Sequence, residues 1–379
     1  MKQNSLNCVF LGLSITSAWG NGHATTYRGL LKELWRRGHS ITFLERDMPW
    51  YASNREFAEV PYCTVALYES VNELKSRFAP LVQSADIVVV GSYVPDGIAV
   101  GEWVTSTAKG IAAFYDIDTP VTVSNLLSGK CEYLSLDLCR KYHLYFSFTG
   151  GPMLGLIEKK LGSPGARPLY CSVDPSLYYP ERQDIQWDVA YLGTYAADRQ
   201  PALEELLFTV ARQNQEKRFA VAGPQYPSEI SWPANVERIE HLPAAEHRAF
   251  YNSQKFTLNL TRQDMIRMGY SPSVRLFEAG ACGAPIITDE WPGLDEFYHL
   301  HSEILPVRTG ADLSACLQMS SDHRLAIAER ARNRTLRFHT AAVRAEQFEA
   351  DVTESLERLH KSNKRKRVAL HKTPTAALI

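Results

Sequence analysis

The stretch Tyr270–Phe297, YSPSVRLFEAGACGAPIITDEWPGLDEF, holds a helix, its stop and the strand after it. Ser271-Pro272 reads as a helix start: a hydroxyl cap, then proline at the first helical position, where its missing N–H costs no hydrogen bond. Val274, Phe277 and Ala281 recur at helical spacing and bury one face. Gly283 stops the helix, as glycine does one residue past the C-cap. Ala284-Pro285 then leads into Ile286-Ile287, a buried strand. One acid, Glu278, stands inside the helix, too far from either end to gain from the dipole. A solvated helix face is the ordinary reason for such a residue. A bound diol is another, since two carboxylate oxygens accept from two neighbouring ribose hydroxyls. The cap, the small run Ala279-Gly280-Ala281 and the glycine stop favour a helix whose end faces a ligand.

Upstream, apolar runs alternate with helical stripes. Cys8–Leu13 reads as a central parallel strand; Tyr27, Leu30, Leu31, Leu34 and Trp35 form a helical stripe ended by Gly38; Ile41–Leu44 is the next strand. This β-loop-α-β unit opens a doubly wound fold. Asp86–Val90, Ile111–Tyr115 and Tyr145–Phe148 continue the sheet. Arg167–Arg182 is rich in proline, serine and tyrosine and reads as a connection. The pattern then restarts, with strands at Val189–Leu192, Phe219–Ala222, Val236–Ile239, Phe256–Leu260 and Ile286-Ile287. The expected fold class is α/β, with two doubly wound Rossmann-like domains. Their bounds are 1–166 and 186–320, joined by a linker at 167–185 and followed by a C-terminal helix at 321–360 and a disordered basic tail at 361–379.

Two readings compete for the loop after the first strand, which carries Gly20, Gly22 and His23. A dinucleotide fingerprint needs G-x-G-x-x-G and an acid at the end of the next strand. Glu45 supplies the acid, but Thr25 stands where the third glycine belongs. The alternative is a loop that brings backbone to a substrate. His23 then sits at a helix start, where the dipole favours the neutral imidazole that a general base requires; simple capping of the helix is an equal reading. The loops Gly91–Gly97 and Asp116–Pro120 lie at strand carboxyl ends, where doubly wound folds bind ligands. Asp116-Ile117-Asp118 spells the D-x-D that holds a metal in some sugar transferases, but loop acids bonding their own backbone explain it more simply. Asp96 or Asp118 bonding an acceptor hydroxyl is an intermediate reading. In the second half, Arg199 and Arg262 follow strand ends and stand beside the helix start at Ser271 and Ser273, placed to reach a bound phosphate.

The 379 residues carry a net charge of -1, which argues against a whole-protein grip on nucleic acid. The 7 cysteines are scattered without a C-x-x-C pair, as free thiols in a reducing cytoplasm would be. No apolar run spans a membrane and none forms a signal-peptide core. The basic run Lys361–Arg367 allows at most peripheral contact with an acidic membrane.

The runs GLSITSAWGNGHATTYRGL, FLERDMPWY, FYDIDTPVT, SFTGGP, YLGTYAADRQPALEELL and TRQDMIRMGYSPSVRLFEAGACGAPIITDEWPGLDEF together resemble the CgeB-like glycosyltransferases. FEAGACGAPIITDEWPGLDEF also resembles the donor-site signature of family 4-like glycosyltransferases, with Asp289, Gly293 and Glu296 in its second half. The resemblance covers the chain to about Leu305. It implies a GT-B fold, two Rossmann-like domains facing a cleft, and transfer of a sugar from a nucleotide-sugar co-substrate held by the second domain. Glu278 matches the glutamate that bonds the donor ribose. Arg199 approximates a lysine near the diphosphate, and His23 falls near the reaction centre. Family 4 enzymes place a second glutamate eight positions before the ribose one, where this chain has Tyr270. That departure leaves the sugar and the anomeric outcome open.

The reading that follows is a metal-independent glycosyltransferase. Its donor-binding residues are Gly22, Arg199, Arg262, Ser271, Ser273, Arg275 and Glu278, and its catalytic candidates are His23, Asp96 and Asp118. No cofactor or metal is expected; the partners are a nucleotide-diphosphate sugar and an acceptor that is a glycan, a protein or a small molecule. A sugar-nucleotide epimerase of similar build and a non-catalytic sugar-nucleotide binder are the alternatives.

Overall fold

The computed structural model describes residues 5–19, 22–57 and 59–370. Two compact units share the chain. The first contains Met1–Phe148, Pro152–Leu169 and Arg344–Ile379; the second contains Thr149–Gly151 and Tyr170–Val343.

The first unit is built on a 7-stranded sheet, every pair parallel. Its strands are β1 (Asn7–Gly12), β2 (Ser40–Arg46), β3 (Thr64–Tyr68), β4 (Ile87–Gly91), β5 (Ile111–Asp116), β6 (Leu144–Ser147) and β7 (Ala166–Pro168), in the order β3-β2-β1-β4-β5-β6-β7. The apolar runs read from sequence are its central strands. IVVVG of β4 and IAAFYD of β5 are buried throughout, as strands covered on both faces must be. The order reverses between β1 and β4, the position at which doubly wound folds bind ligands. Phe10, Tyr27, Phe43, Tyr115 and Phe146 fill the core against Phe348 and Val352 of the C-terminal helix Ala341–Leu370.

The second unit repeats the winding with 6 parallel strands: β8 (Trp187–Leu192), β9 (Phe219–Ala222), β10 (Val236–Ile239), β11 (Gln254–Asn259), β12 (Ile286–Asp289) and β13 (Leu305–Val307). The order β10-β9-β8-β11-β12-β13 again reverses in the middle, between β8 and β11.

Four expectations change. The helix of the opening stretch runs Val274–Cys282, so its N-cap is Ser273 rather than Ser271. The expected single C-terminal helix is two, Ser321–Phe338 in the second unit and Ala341–Leu370 spanning the return to the first. The second helix continues through the basic run to Leu370, where a disordered tail was expected; residues 371–379 lie outside the described residues. Three short edge strands, β3, β7 and β13, add to those read from sequence. Among the described residues no helix is long and apolar enough to cross a membrane.

Candidate active site

The second unit places two arginines together, and among the described residues neither is in a salt bridge with a carboxylate. Arg199 precedes the helical turn Gln200–Leu203 that follows β8, and Arg275 is the second residue of the Val274–Cys282 helix that follows β11. Both therefore stand at the point where the strand order reverses. Arg199 is only 9% exposed. Its Nη2 donates to the Thr194 carbonyl at 2.5 Å, but its Nε has no partner. Arg275 donates from Nη2 to the Leu260 carbonyl at 3.3 Å, lies over the Tyr191 ring at 5.9 Å, and also has a buried Nε without a partner. Burial, and then repulsion by Arg275, hold the Arg199 guanidinium below its ordinary pKa. Buried donors without a partner and two guanidiniums that repel each other are both costly in an empty fold, although Asp198 and Asp289 act on them from a distance. A dianionic group seated here would satisfy the donors and the charge at once.

One helical turn from Arg275 stands Glu278, 6% exposed. Its Oε2 accepts from the Tyr251 hydroxyl at 3.1 Å. Burial and the Glu278 carboxylate push the phenol of Tyr178 well up, and Tyr178 and Tyr251 pack with ring centroids 6.4 Å apart. Glu278 is thus no solvated helix-face acid. It is a buried carboxylate oriented by phenols, and a carboxylate has acceptor capacity for more than one donor.

The other donor-side candidates are arranged differently. Arg262 is half exposed and turned towards Asp198 at 3.8 Å, outside the Arg199–Arg275 pair. Ser271 is buried, its hydroxyl bonded to the Thr149 hydroxyl at 2.6 Å. Ser273 occupies the N-cap, but its side chain makes no capping bond. Asp289 clamps the ends of β11 and β12: it accepts from Thr261 N–H and Thr261 Oγ1, both at 2.8 Å.

Tyr270 has a positive φ of 51°. Its N–H donates to the Pro292 carbonyl at 2.7 Å, and its carbonyl accepts from Gly150 at 3.1 Å. The ring is wedged between two glycines: an added Cβ would meet it at 2.5 Å from Gly151 and at 2.4 Å from Gly293. Both glycines also have positive φ. The spacing that leaves a carboxylate missing at 270 therefore holds a fixed aromatic ring instead.

In the first unit, groups with titratable chemistry gather where the order reverses between β1 and β4. Gly22, exposed, is the N-cap of the helix His23–Arg36, and Gly20 lies outside the described residues. His23 has a buried Nδ1 with no partner among the described residues, and desolvation lowers its pKa to about 4, so the ring is neutral at pH 7. Its ring centroid lies 5.7 Å from that of Tyr93. Tyr93 has a positive φ of 63° and donates its hydroxyl to Asp118 Oδ2 at 2.9 Å. His23 and Asp118 are thus two sides of one tyrosine, a residue that sequence reasoning passed over. No local signal marks it; only its place after β4 could have. Asp96, exposed at the start of the helix Gly97–Thr107, is paired with Arg46 and stands apart from that group.

The D-x-D acids have separate fates. Asp116 is fully buried: its Oδ1 accepts from Thr122 Oγ1 and its Oδ2 from the Tyr145 hydroxyl, both at 2.6 Å. Burial raises its pKa to about 6. Thr122 is bonded in turn to the Tyr133 hydroxyl at 2.8 Å, and Tyr133 packs on Tyr93 at 4.6 Å. Glu45, the acid that a dinucleotide fingerprint would offer to a ribose, is buried and spent on its own loop. It accepts from Ser14 Oγ at 2.9 Å, Ile15 N–H at 2.8 Å, Thr16 N–H at 3.2 Å and Thr16 Oγ1 at 2.7 Å.

A family model described as "Glycosyl transferase-like" matches residues 199–350, a span that begins at Arg199 and includes Arg262, Ser271, Ser273, Arg275 and Glu278. No curated sequence matches the chain. Among solved structures, sucrose-phosphate synthase from Thermosynechococcus elongatus is similar with a TM-score of 0.64 at 12% identity, covering 92% of this chain and 98% of that one. Anabaena HepE in complex with UDP and glucose has a TM-score of 0.66 at 11% identity, covering 92% and 100%. An alpha-glucosyltransferase in complex with UDP-glucose and DNA has 0.67 at 13%, also covering 92% and 100%. At such identities the likeness is one of fold: the two parallel sheets form the α/β architecture of the GT-B type.

Proposed function

We propose that the protein transfers a glycosyl group from a nucleoside-diphosphate sugar to a hydroxyl acceptor. The carrying observation is the pair Arg199 and Arg275, each with an orphaned buried Nε, at the start of a helix that also carries Glu278. Breaking a bond to a diphosphate leaves negative charge on the leaving group. Two preorganised guanidiniums with the helix N-terminus stabilise that charge where it develops. They supply the role that a divalent cation plays in other transferases, so the reaction is expected to survive chelation. Glu278, held by Tyr251, accepts from the ribose hydroxyls. On the first unit, neutral His23 and the Tyr93-bonded Asp118 are the groups able to take the acceptor's proton. The family model supports glycosyl transfer, and the UDP bound by the structural relatives makes a uridine nucleotide the first donor to test. The finer affiliation with the CgeB-like branch rests on the sequence runs quoted above.

Calorimetric titration with UDP, GDP and ADP, and then with their sugars, tests this. At least one nucleoside diphosphate should bind in EDTA, and Glu278→Ala should weaken it. If none binds, or if Glu278→Ala binds as the wild type does, the reading fails. Turnover of the nucleotide-sugar into an isomer without any acceptor would point to an epimerase instead.

A further inference from the structure

Tyr191 lies on β8, a central strand of the second unit, and is 1% exposed. Its ring belongs to the core that Val189, Leu203 and Leu207 build. Its hydroxyl has no hydrogen-bond partner among the described residues. Phenylalanine would fill the same space without the cost of a desolvated, unbonded hydroxyl. The hydroxyl stands at the end of the strand: a Cβ added at Gly193, the residue after β8, would lie 2.4 Å from it. Two cations stand beside it. Arg199 lines the same narrow gap, together with Thr194 and Tyr226, and Arg275 lies over the ring at 5.9 Å. Tyr191 Oη, Arg199 Nε and Arg275 Nε are thus three buried donors left unpartnered around one strand end. The gap between Tyr191 and Arg199 has no room for a water molecule, so solvent does not satisfy them.

Among the described residues, the groups that could complete this set are engaged elsewhere. Tyr226, the other phenol of the gap, donates to the Gly193 carbonyl at 3.2 Å. Asp198 accepts from the Gln263 N–H at 3.0 Å and faces Arg262, and Asp289 accepts from Thr261. A neutral acceptor would leave the two guanidiniums repelling each other, so the missing partner is an anion. A phosphoryl group has three strong acceptor oxygens, enough to take all three donors. The phenol suits such a site in a way that a third cation would not: it adds a bond without adding to the repulsion.

We propose that Tyr191 is a third, neutral donor to the bound diphosphate. Arg275 is the part that moves: it is half-buried, and its bond to the Leu260 carbonyl is long at 3.3 Å, so it turns to an incoming anion and uncovers the phenol. That the anion is the diphosphate of a sugar donor rests on the glycosyl-transfer reading; that Tyr191 bonds a phosphate does not. The full-length protein and its Tyr191→Phe variant are titrated in EDTA by calorimetry with UDP, GDP, ADP and inorganic pyrophosphate, and their melts are recorded without ligand. Tyr191→Phe should bind about tenfold more weakly, yet melt at or above the wild type, because the change removes an unbonded hydroxyl and nothing else. Tyr226→Phe should do the reverse, melting lower with an affinity close to that of the wild type, since its hydroxyl is already bonded to Gly193. The proposal is overturned if Tyr191→Phe binds as the wild type does, if it melts clearly lower without ligand, if both phenylalanine variants lose affinity alike, or if none of the four anions binds the wild type. Unchanged UDP affinity in Tyr191→Phe leaves the donor reading standing. Binding of pyrophosphate but of no nucleoside diphosphate sinks the donor reading and leaves Tyr191 to be judged on pyrophosphate.

Discussion

Replacing Arg199 by methionine separates a ligand-binding cation from a structural one. The side chain has one satisfied bond, to the Thr194 carbonyl, one orphaned Nε and a cationic neighbour in Arg275. Losing the carbonyl bond costs about 0.5–1.5 kcal/mol. Against this, the variant removes a desolvated cation repelled by Arg275, and exchanging a buried charge for an apolar side chain of similar length is often neutral or stabilising. The unliganded protein should therefore melt within a few degrees of the wild type, or above it. The diphosphate complex should suffer much more. A hydrogen bond to a charged group contributes about 1.5–3 kcal/mol, which corresponds to roughly 10- to 150-fold in Kd. At a UDP concentration about 100 times the wild-type Kd, binding adds about 2.7 kcal/mol to wild-type stability. The same concentration should add only about 0.3–1.4 kcal/mol to the variant. Thermal melts with and without UDP, alongside calorimetry, read both numbers. A variant that melts far lower without ligand yet gains the full UDP shift would show Arg199 to be a structural residue, and the diphosphate assignment would fall.

Glu278→Gln keeps the shape but not the charge of the carboxylate, and should retain part of the donor affinity that Glu278→Ala loses; equal loss in both would point to packing rather than ribose recognition. Gly151→Ala places a methyl against the Tyr270 ring at a positive φ and should cost about 1–3 kcal/mol in urea unfolding, whereas an unchanged midpoint would mean that the ring moves freely. His23 is held at about 4 against 6.5 unfolded, so the unfolded chain binds the extra proton between those values, and this group's contribution is lost as pH falls through that window. Asp116, raised from 3.8 to about 6, has the opposite sign: the native chain holds the extra proton, and its contribution is lost as pH rises through about 6. The two offset each other in the wild type; His23→Gln should make stability fall between pH 4 and 6, and Asp116→Asn should make it rise, each by up to about 1.4 kcal/mol per pH unit in urea titrations. Parallel slopes in the two variants would contradict both assignments.

What was legible in the sequence is what local pattern determines. Runs such as Ile87–Gly91 and Ile111–Asp116 are apolar because both their faces are covered, and any such run declares itself. β3 is half exposed at a sheet edge, and β7 and β13 are three residues each and contain proline; their pairing comes from neighbours rather than from their own composition. The start of the Val274–Cys282 helix was misplaced because the hydroxyl of Ser271 is taken by Thr149, 122 positions away. Glu45 satisfied a nucleotide-binding pattern and yet clamps its own loop.

The arginines show the same limit most sharply. Arg199 and Arg262 look alike in sequence, each a cation after a strand and each within two residues of an acid, Asp198 and Asp264 respectively. Folding turns Arg262 towards Asp198 and leaves Arg199, its immediate chain neighbour, bonded to a carbonyl and facing Arg275. Arg275, inside the helix, carried no strand-end signal at all. Position along the chain therefore nominates cations, but the counter-ion selects among them. A surface pair such as Arg262–Asp198 is worth little to fold or ligand, whereas a buried guanidinium with no carboxylate in salt-bridge distance among the described residues retains its donors for an anion from outside.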